Sequence, residues 1–291
     1  MMDFRMETFL TVCKYMSFTR AAEALNLTQP AVSQHIKYLE QKFDAPLFVR
    51  ERKNLTLSPA GEILRSSLES MRNDENTIKK RMKESLSGKK VLTFGVTMTI
   101  GEYAILPSLG KFLKAHPDTD FHIRYSNTKT LLSELYEGNL DFAIVEGYFK
   151  QEQYQTRVYR TEEYIAVASR DHVFSKPIRC MQDLTGERLL IREPGSGTRA
   201  ILTRALALKN MSILNFSNLV EVGNIHTIVS LLLQDCGISF LYKAAVQQEI
   251  DNGTLVQIPL DDFRLSHDFT FIWNKDSIFS KEYEAIFQEL L

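Results

Sequence analysis

The sequence predicts an α/β chain that opens with a small helical head closed by a β-hairpin wing. Three observations predict it. Apolar residues across 3–43 recur at spacings of three and four; a seven-residue repeat of apolar positions runs through 59–86; and from residue 91 short β-like runs alternate with helical patterns. In the head, Met6, Phe9, Leu10, Cys13 and Met16 form one apolar stripe on a first helix. Ala21, Ala22 and Leu25 continue on a short second helix that ends at Asn26-Leu27. A third starts at Thr28-Gln29-Pro30, where Thr28 can cap free amides and Pro30 is tolerated because a first-turn N–H has no partner anyway. Its inner stripe is Val32, Ile36, Leu39 and Phe43. Two β-like runs at 46–50 and 55–57, around the charged tip Glu51-Arg52-Lys53-Asn54, read as the wing.

Ser58-Pro59 opens a long helix over 59–86, roughly 42 Å of it, closed by Ser87-Gly88. Leu64, Met71 and Ile78 recur every seven residues, as do Leu68 and Met82 around Glu75. So narrow a stripe reads as a pairing helix rather than one packed on its own domain. The run Lys79-Lys80-Arg81-Met82-Lys83 reads as a solvated face. Beyond it, strand-like runs fall at 91–96, 121–125, 142–145, 164–168, 189–191, 219–222, 238–241 and 255–258. Helical patterns at 104–115, 130–136, 198–208, 225–233 and 243–248 separate most of them, which implies an α/β body with largely parallel sheets. The division is therefore 1–58 head, 59–88 linker and dimerisation helix, and 89–291 body.

Charge is distributed unevenly. Residues 1–90 hold 16 lysines and arginines against 11 aspartates and glutamates, a net of +5, leaving −6 for the rest of a chain whose formal charge is −1. A moderately basic head on an acidic body suits a nucleic-acid module joined to something else. Cys13, Cys180 and Cys236 are too few and too scattered for a disulfide framework or a zinc site, so no metal is expected. An early acid, Asp3, and the lack of a signal-length apolar stretch point to the cytoplasm. The apolar run at 225–233 is cut by Gln234-Asp235 and is too short to span a bilayer, so no membrane partner is expected.

An enzyme is disfavoured. Gly195-Ser196-Gly197 lacks the spacing of a nucleophile elbow, and there is no P-loop, dinucleotide fingerprint or zinc-protease motif. His35, His116 and His122 read as surface or core residues, so neither a catalytic set nor a cofactor is expected.

The strongest local signal is the segment Phe18-Thr19-Arg20-Ala21-Ala22-Glu23-Ala24-Leu25-Asn26-Leu27-Thr28-Gln29-Pro30-Ala31-Val32-Ser33-Gln34-His35-Ile36-Lys37. Small alanines let one helix sit close on the next. A tight polar turn follows, and then a helix that is apolar inside with Gln29, Ser33, Gln34 and Lys37 outside. An outer row of amides and hydroxyls with one cation can reach base edges and phosphates in a major groove, which is the logic of a helix-turn-helix.

This segment, with Leu39-Glu40, Pro46-Leu47-Phe48-Val49-Arg50 and Leu57-Ser58-Pro59-Ala60-Gly61, resembles the LysR-type transcriptional regulators. Asp44 departs from the pattern, standing where the family has glycine; aspartate tolerates a left-handed backbone better than most residues. The resemblance implies a winged helix-turn-helix that places Thr28, Gln29, Pro30, Ser33, Gln34 and Lys37 at or near double-stranded DNA, with Arg50 and Arg52 at the wing. Gln29 and Gln34 read as base readers, and Ser33, Lys37, Arg50 and Arg52 as phosphate contacts. It further implies an effector domain like type 2 periplasmic binding proteins, two α/β subdomains with a small-molecule cleft between them. One subdomain is expected at about 91–162 plus 269–291, the other at about 163–268.

Three helix starts rich in Ser, Thr and Gly follow strands in that body: Thr97 to Gly101, Pro194 to Arg199, and Gly223 to Thr227. Exposed amides and the positive dipole end suit such places to anions, although each alone is more often plain capping. Together they point to a shared cleft lined by Thr97, Thr99, Glu146, Ser196, Thr198 and Asn224 and to a small anionic effector. Glu146 would repel a bare anion, so it faces an amine or hydroxyl of the ligand or is structural. Paired linker helices would set two readers on an inverted-repeat operator. The resemblance implies a homodimer or homotetramer, with RNA polymerase as a possible further contact. The alternative is a cytosolic solute-binding protein without DNA activity, against which the helix-turn-helix argues.

Overall fold

The computed structural model describes residues 3–51, 54–87 and 89–291. The head is three helices, α1 (Phe4–Tyr15), α2 (Phe18–Leu25) and α3 (Gln29–Phe43), followed by the hairpin β1 (Phe48–Glu51) and β2 (Asn54–Leu57). Each helix ends on a left-handed residue, Met16, Asn26 and Asp44, so Asp44 takes the conformation expected of it, with φ 49°. Ser17 and Thr28 cap α2 and α3 by accepting from Arg20 N and Ala31 N. Phe9, Leu10, Val12, Ala21, Ala22, Val32, Ile36 and Leu39 close a core that Cys13 shares. Burial pushes the Cys13 thiol up to about 12, so it packs as a small hydrophobe. Phe43 is not part of the inner stripe: it sits in the last turn of α3 and is 44 % exposed.

Helix α4 (Pro59–Ser87) follows, started by the Ser58 hydroxyl, which accepts from Gly61 N. Its apolar stripe divides. Leu68 is buried in the head core and Leu64 packs on it, whereas Met71, Ile78 and Met82 remain exposed. Only the second half of the repeat is therefore open for pairing. The basic run is not a solvated face either. Lys80 pairs with Asp141 at 2.6 Å, and Arg81 pairs with Glu282 while lying 4.0 Å over the Phe279 ring. Of that run, Lys79 pairs within the helix, with Glu75. Gly88 lies outside the described residues.

The body is one nine-stranded mixed sheet in the order β4-β3-β5-β11-β6-β9-β7-β8, with β10 on β6. Subdomain I holds parallel β3 (Lys90–Thr97), β4 (Thr119–Ser126) and β5 (Phe142–Val145) with helices α5 (Leu106–Ala115) and α6 (Thr128–Tyr136). Subdomain II holds β7 (Arg188–Arg192), α7 (Gly197–Ala207), β8 (Asn218–Val222), α8 (Ile225–Leu233), β9 (Ile238–Tyr242), α9 (Gln247–Asp251) and β10 (Leu255–Gln257). Two long antiparallel strands cross between them, β6 (Tyr154–Ser169) and β11 (Leu265–Asn274), and α10 (Ser280–Leu290) closes the chain on α5.

The sheet is thus less parallel than expected, because the crossovers pair antiparallel with β5, β9, β10 and each other. Their register shifts at Tyr159, a bulge that twists the ribbon where it passes from one subdomain to the other. The first half of β6, all of β11 and α10 extend beyond the runs the sequence predicts.

Between head and body, the Glu69 side chain is 10 % exposed, with Arg65 at 3.5 Å. Burial pushes its carboxyl up to about 7, with Arg65 and Arg72 opposing. The native state therefore holds this proton more tightly than the unfolded chain, and stability falls as pH rises from about 4.5 to about 7. Glu69→Gln is expected to stabilise the protein by about 2–3 kcal/mol at pH 8, the gain vanishing near pH 4.5, in urea unfolding followed across that range.

Candidate functional site

The outward face of the head is built by α3. With Val32, Ile36 and Leu39 turned inward, Gln29, Gln34 and Lys37 are exposed on the opposite side, Ser33 is half-buried beside them, and Thr28 and Pro30 are exposed at the helix start. The Gln29 amide donates to Ser33 Oγ at 2.8 Å, a bond that must be exchanged if Gln29 is to reach a base. His35 ties α3 to α1 through Thr8 at 2.9 Å and is structural. Arg50 lies in β1 opposite Leu55 by its backbone, and Arg52 falls outside the described residues.

A second constellation lies where the subdomains meet, and it gathers most of the expected cleft. Glu146, at the end of β5, accepts from Thr198 Oγ1 at 2.6 Å, Thr97 Oγ1 at 3.2 Å and Thr99 Oγ1 at 3.3 Å. All four residues are buried. Burial raises the Glu146 carboxyl above its usual range, while Thr198, the nearby Arg192 charge, Thr97 and Thr99 oppose the rise. Arg192 does not touch it; its guanidinium is bonded twice to Glu193, at 2.8 and 3.1 Å. Burial raises the Glu193 carboxyl, but those bonds, the Arg192 charge and a hydrogen bond from Asn127 outweigh it and hold the group below its usual range.

One backbone bond crosses the same seam, Lys129 N donating to Gly195 O at 3.2 Å. On either side of it, Thr128 Oγ1 donates to Glu146 O at 2.8 Å within subdomain I, and Tyr164 OH donates to Thr198 O at 2.9 Å within subdomain II. Gly147 and Gly197 meet so closely that a Cβ on Gly147 would lie 2.5 Å from Gly197 Cα.

The three helix starts therefore diverge. At the first, a tight π-helical turn over Ile100–Ala104 precedes α5, and the Thr99 hydroxyl goes to Glu146 instead of capping it. At the third, the Asn224 side chain caps α8 by accepting from Thr227 N at 3.0 Å. It faces a separate hollow of about 560 Å³ with Glu102, Tyr103 and His226. At the second, Ser196 makes no side-chain hydrogen bond and borders a cavity of about 790 Å³ between α6, α7 and the 148–154 segment. That cavity is lined by Lys129, Lys150, Arg199 and Arg204, with aromatic Tyr148, Phe149 and Tyr154, and by no aspartate or glutamate. Arg199 is paired with Glu221 at 2.6 Å, and Arg204 lies 4.2 Å over the Tyr148 ring. Lys129 and Lys150 make no ion pair among the described residues. Sequence reasoning missed this set because its members come from three separate elements.

No helix among the described residues is long and apolar enough to cross a membrane, and no group of three His, Cys, Asp or Glu among them could hold a metal ion.

Comparison with known proteins gives this geometry its context. Among solved structures, the regulatory domain of CcmR from Synechocystis PCC6803 in complex with 2-PG shares the fold, with a TM-score of 0.61 at 19 % identity, over 69 % of this chain and 96 % of that one. Full-length LysG from Corynebacterium glutamicum with bound effector Arg has a TM-score of 0.59 at 18 % identity, over 100 % of this chain and 98 % of that one. The regulator CbbR of Rhodospirillum rubrum is 29 % identical over 267 residues, 91 % of this chain and 87 % of CbbR. Residues 4–62 match the description "Bacterial regulatory helix-turn-helix protein, lysR family" and residues 87–291 match "LysR substrate binding domain". The two matches together cover most of the chain, and the chain belongs to the LysR family of transcriptional regulators.

Proposed function

We propose that this LysR-type regulator binds an inverted-repeat operator and is switched by a small anion held in the cavity between its two effector subdomains. The observation that carries the anion is the lining of that cavity: four cations and no acid, around the unbonded hydroxyl of Ser196. Its volume, about 790 Å³, lies in the range of small-molecule sites. CcmR, solved with 2-PG, supports the same class of ligand. On this reading Thr97, Thr99, Glu146 and Thr198 form the wall behind the ligand, and Asn224 serves α8 as its cap.

On the DNA side, Gln29 and Gln34 read bases while Ser33 and Lys37, with Arg50 and Arg52 of the wing, hold phosphates. Two chains pair through Met71, Ile78 and Met82 of α4, and effector-domain contacts join dimers into a tetramer that works in the cytoplasm beside RNA polymerase. The ligand acts by binding one arrangement of the subunits better than another.

The test is thermal unfolding of the full chain with 2-PG, sulfate, malonate and arginine. An anion at about one hundred times its Kd adds about 2.7 kcal/mol and raises Tm by several degrees. The variant Lys129→Glu/Arg204→Glu is expected to lose that shift and keep its affinity for operator DNA. A shift with arginine and with no anion would sink the proposal.

A further inference from the structure

Helix α4 meets both the head and the body at one polar joint, and Glu69 stands at its centre. Cys13 of α1, Tyr136 at the end of α6 and Tyr154 at the start of β6 all lie close enough to feel its charge. On α4 itself it is flanked by Glu62, Arg65 and Arg72. The buried acids farther along the docked helix are well held. Asp74 accepts from Ser277 Oγ and Ile278 N, and Asp141 accepts from Lys80 Nζ and Thr93 N. Glu69 is buried like them but is not held in this way. Its one close polar contact among the described residues is Arg65 Nε, at 3.5 Å too far for a good hydrogen bond. The Arg65 guanidinium reaches instead for the exposed Glu62, at 2.6 Å.

A buried carboxyl without donors favours its neutral form. Burial pushes Glu69 up to about 7, and it pushes Cys13, Tyr136 and Tyr154 up to about 12, while guanidinium groups keep their charge. Between about pH 6 and 8, Glu69 is therefore the buried group of the joint whose charge changes. Arg72 stands three residues further on, on the same face of the helix. It donates to Tyr136 O at 2.5 Å and lies 4.6 Å over the Tyr136 ring, which fastens the head end of α4 to α6. Its Nε is buried without a hydrogen-bond partner among the described residues, so the guanidinium has a donor to offer. An ionised Glu69 competes with Tyr136 for it.

We propose that Glu69, Arg72 and Tyr136 form a proton-operated latch between α4 and the effector domain. The neutral carboxyl leaves Arg72 on Tyr136; when its proton passes to solvent, Arg72 turns to the carboxylate and the head end of α4 comes free. Asp74 and Lys80 keep the rest of the helix docked. The closed latch leaves Gln29, Gln34 and Lys37 exposed for reading. Opening it adds freedom that binding two half-sites must remove again, so the closed latch favours the operator. The latch uses no residue of the cationic cavity or of the seam and stands whatever the effector is.

The closed form holds the proton up to about 7 and an exposed glutamate up to about 4.5, so closure weakens as pH rises through that range. From pH 6 to pH 8 the loss is about tenfold.

The test uses the full chain with Cys180→Ser/Cys236→Ser, which leaves buried Cys13 as the single thiol. N-ethylmaleimide reaches it when the joint opens, and Glu69→Gln provides a reference with the same thiol chemistry and no carboxyl to ionise. The ratio of labelling rates, wild type over Glu69→Gln, is expected to rise by up to about tenfold from pH 6 to pH 8. It should hardly change with urea below about 1 M, because a local opening exposes little surface. A ratio that is the same at both pH values overturns the latch, and so does one that rises only in step with global unfolding. At pH 8, Arg72→Met should speed labelling several-fold in the Glu69→Gln background and much less in the wild type. An effect as large in the wild type would show that Arg72 clamps Glu69 in place, which overturns the competition. At constant salt, operator affinity should fall several-fold further from pH 6 to pH 8 in the wild type than in Glu69→Gln. Equal falls overturn the claim that the latch governs the reader.

Discussion

Gly197→Val is expected to destabilise the effector domain by about 3 kcal/mol or more, lowering its Tm by roughly 6 °C or more in a thermal scan. The cause is space alone, since Gly197 does not adopt a left-handed backbone. Its added Cβ would meet Glu146 O at 2.3 Å and Glu146 Cγ at 2.6 Å, and a carbonyl oxygen cannot yield as the tip of a flexible side chain can. Relief requires the first turn of α7 to move off β5, and that breaks the Thr198 bond to Glu146. Gly110 supplies the contrast within the same fold. It lies inside α5, and a Cβ added there would meet nothing within 4 Å, so Gly110→Ala should stabilise by up to about 1 kcal/mol through helix propensity. Equal effects at the two glycines would show that contact across the seam is not what makes Gly197 necessary.

The second large effect is expected at Lys80. Its Nζ lies 2.6 Å from Asp141 Oδ2, and the Asp141 side chain is 7 % exposed. Lys80→Met leaves that carboxylate with the Thr93 N–H, at 2.7 Å, as its remaining donor. Breaking a buried pair from one side costs about 3–5 kcal/mol; water reaches Lys80, whose side chain is 24 % exposed, so about 2–3 kcal/mol is expected in urea unfolding. Converting the partner too, in Lys80→Met/Asp141→Asn, removes the stranded charge and should recover more than half of the loss. A double variant as unstable as the sum of the two single ones would show that the pair does not interact.

Much of the architecture is legible from spacing. The run at 142–145 coincides with β5 and the pattern at 225–233 with α8, because both are bounded by turn residues and buried on the faces their apolar positions mark. The crossover strands are harder to read. β6 opens with Tyr154-Gln155-Thr156-Arg157, half-buried on both faces, so no alternation marks it, and in β11 the polar run Ser266-His267-Asp268 separates Leu265 from the apolar stretch. Helix α10 does carry the spacing, in Tyr283, Ile286, Phe287 and Leu290, but among enough charge to pass for a tail. Two of the three helix starts supplied residues of the seam, Thr97, Thr99 and Thr198, since hydroxyls at strand ends are visible in sequence, whereas Asn224 of the third faces a separate hollow. Sequence alone does not reveal that Glu146 satisfies those hydroxyls. Nor does it reveal that Lys129, Lys150, Arg199 and Arg204, up to 75 positions apart, converge on one cavity.

The polar docking of α4 carries a mechanical consequence. Helix α6 touches subdomain II at its start, through Lys129 N and Asn127, and its last turn offers carbonyls to α4. Asn73 reaches Leu135 O, Arg72 reaches Tyr136 O, and Asn76 reaches the carbonyls of Glu137 and Gly138 just beyond. The head is thus mounted on an arm held at this clasp and steadied by a surface pair between Lys14 of α1 and Glu137 at 3.6 Å. From Asn76 back to Pro59 is seventeen residues, roughly 25 Å of helix. A tilt of about 5° at the clasp therefore swings the head by about 2 Å, while a hydrogen bond to a base tolerates only about half an ångström. Angular changes too small to break a single contact in the body are large enough, at the far end of the arm, to decide whether α3 sits in register with its groove.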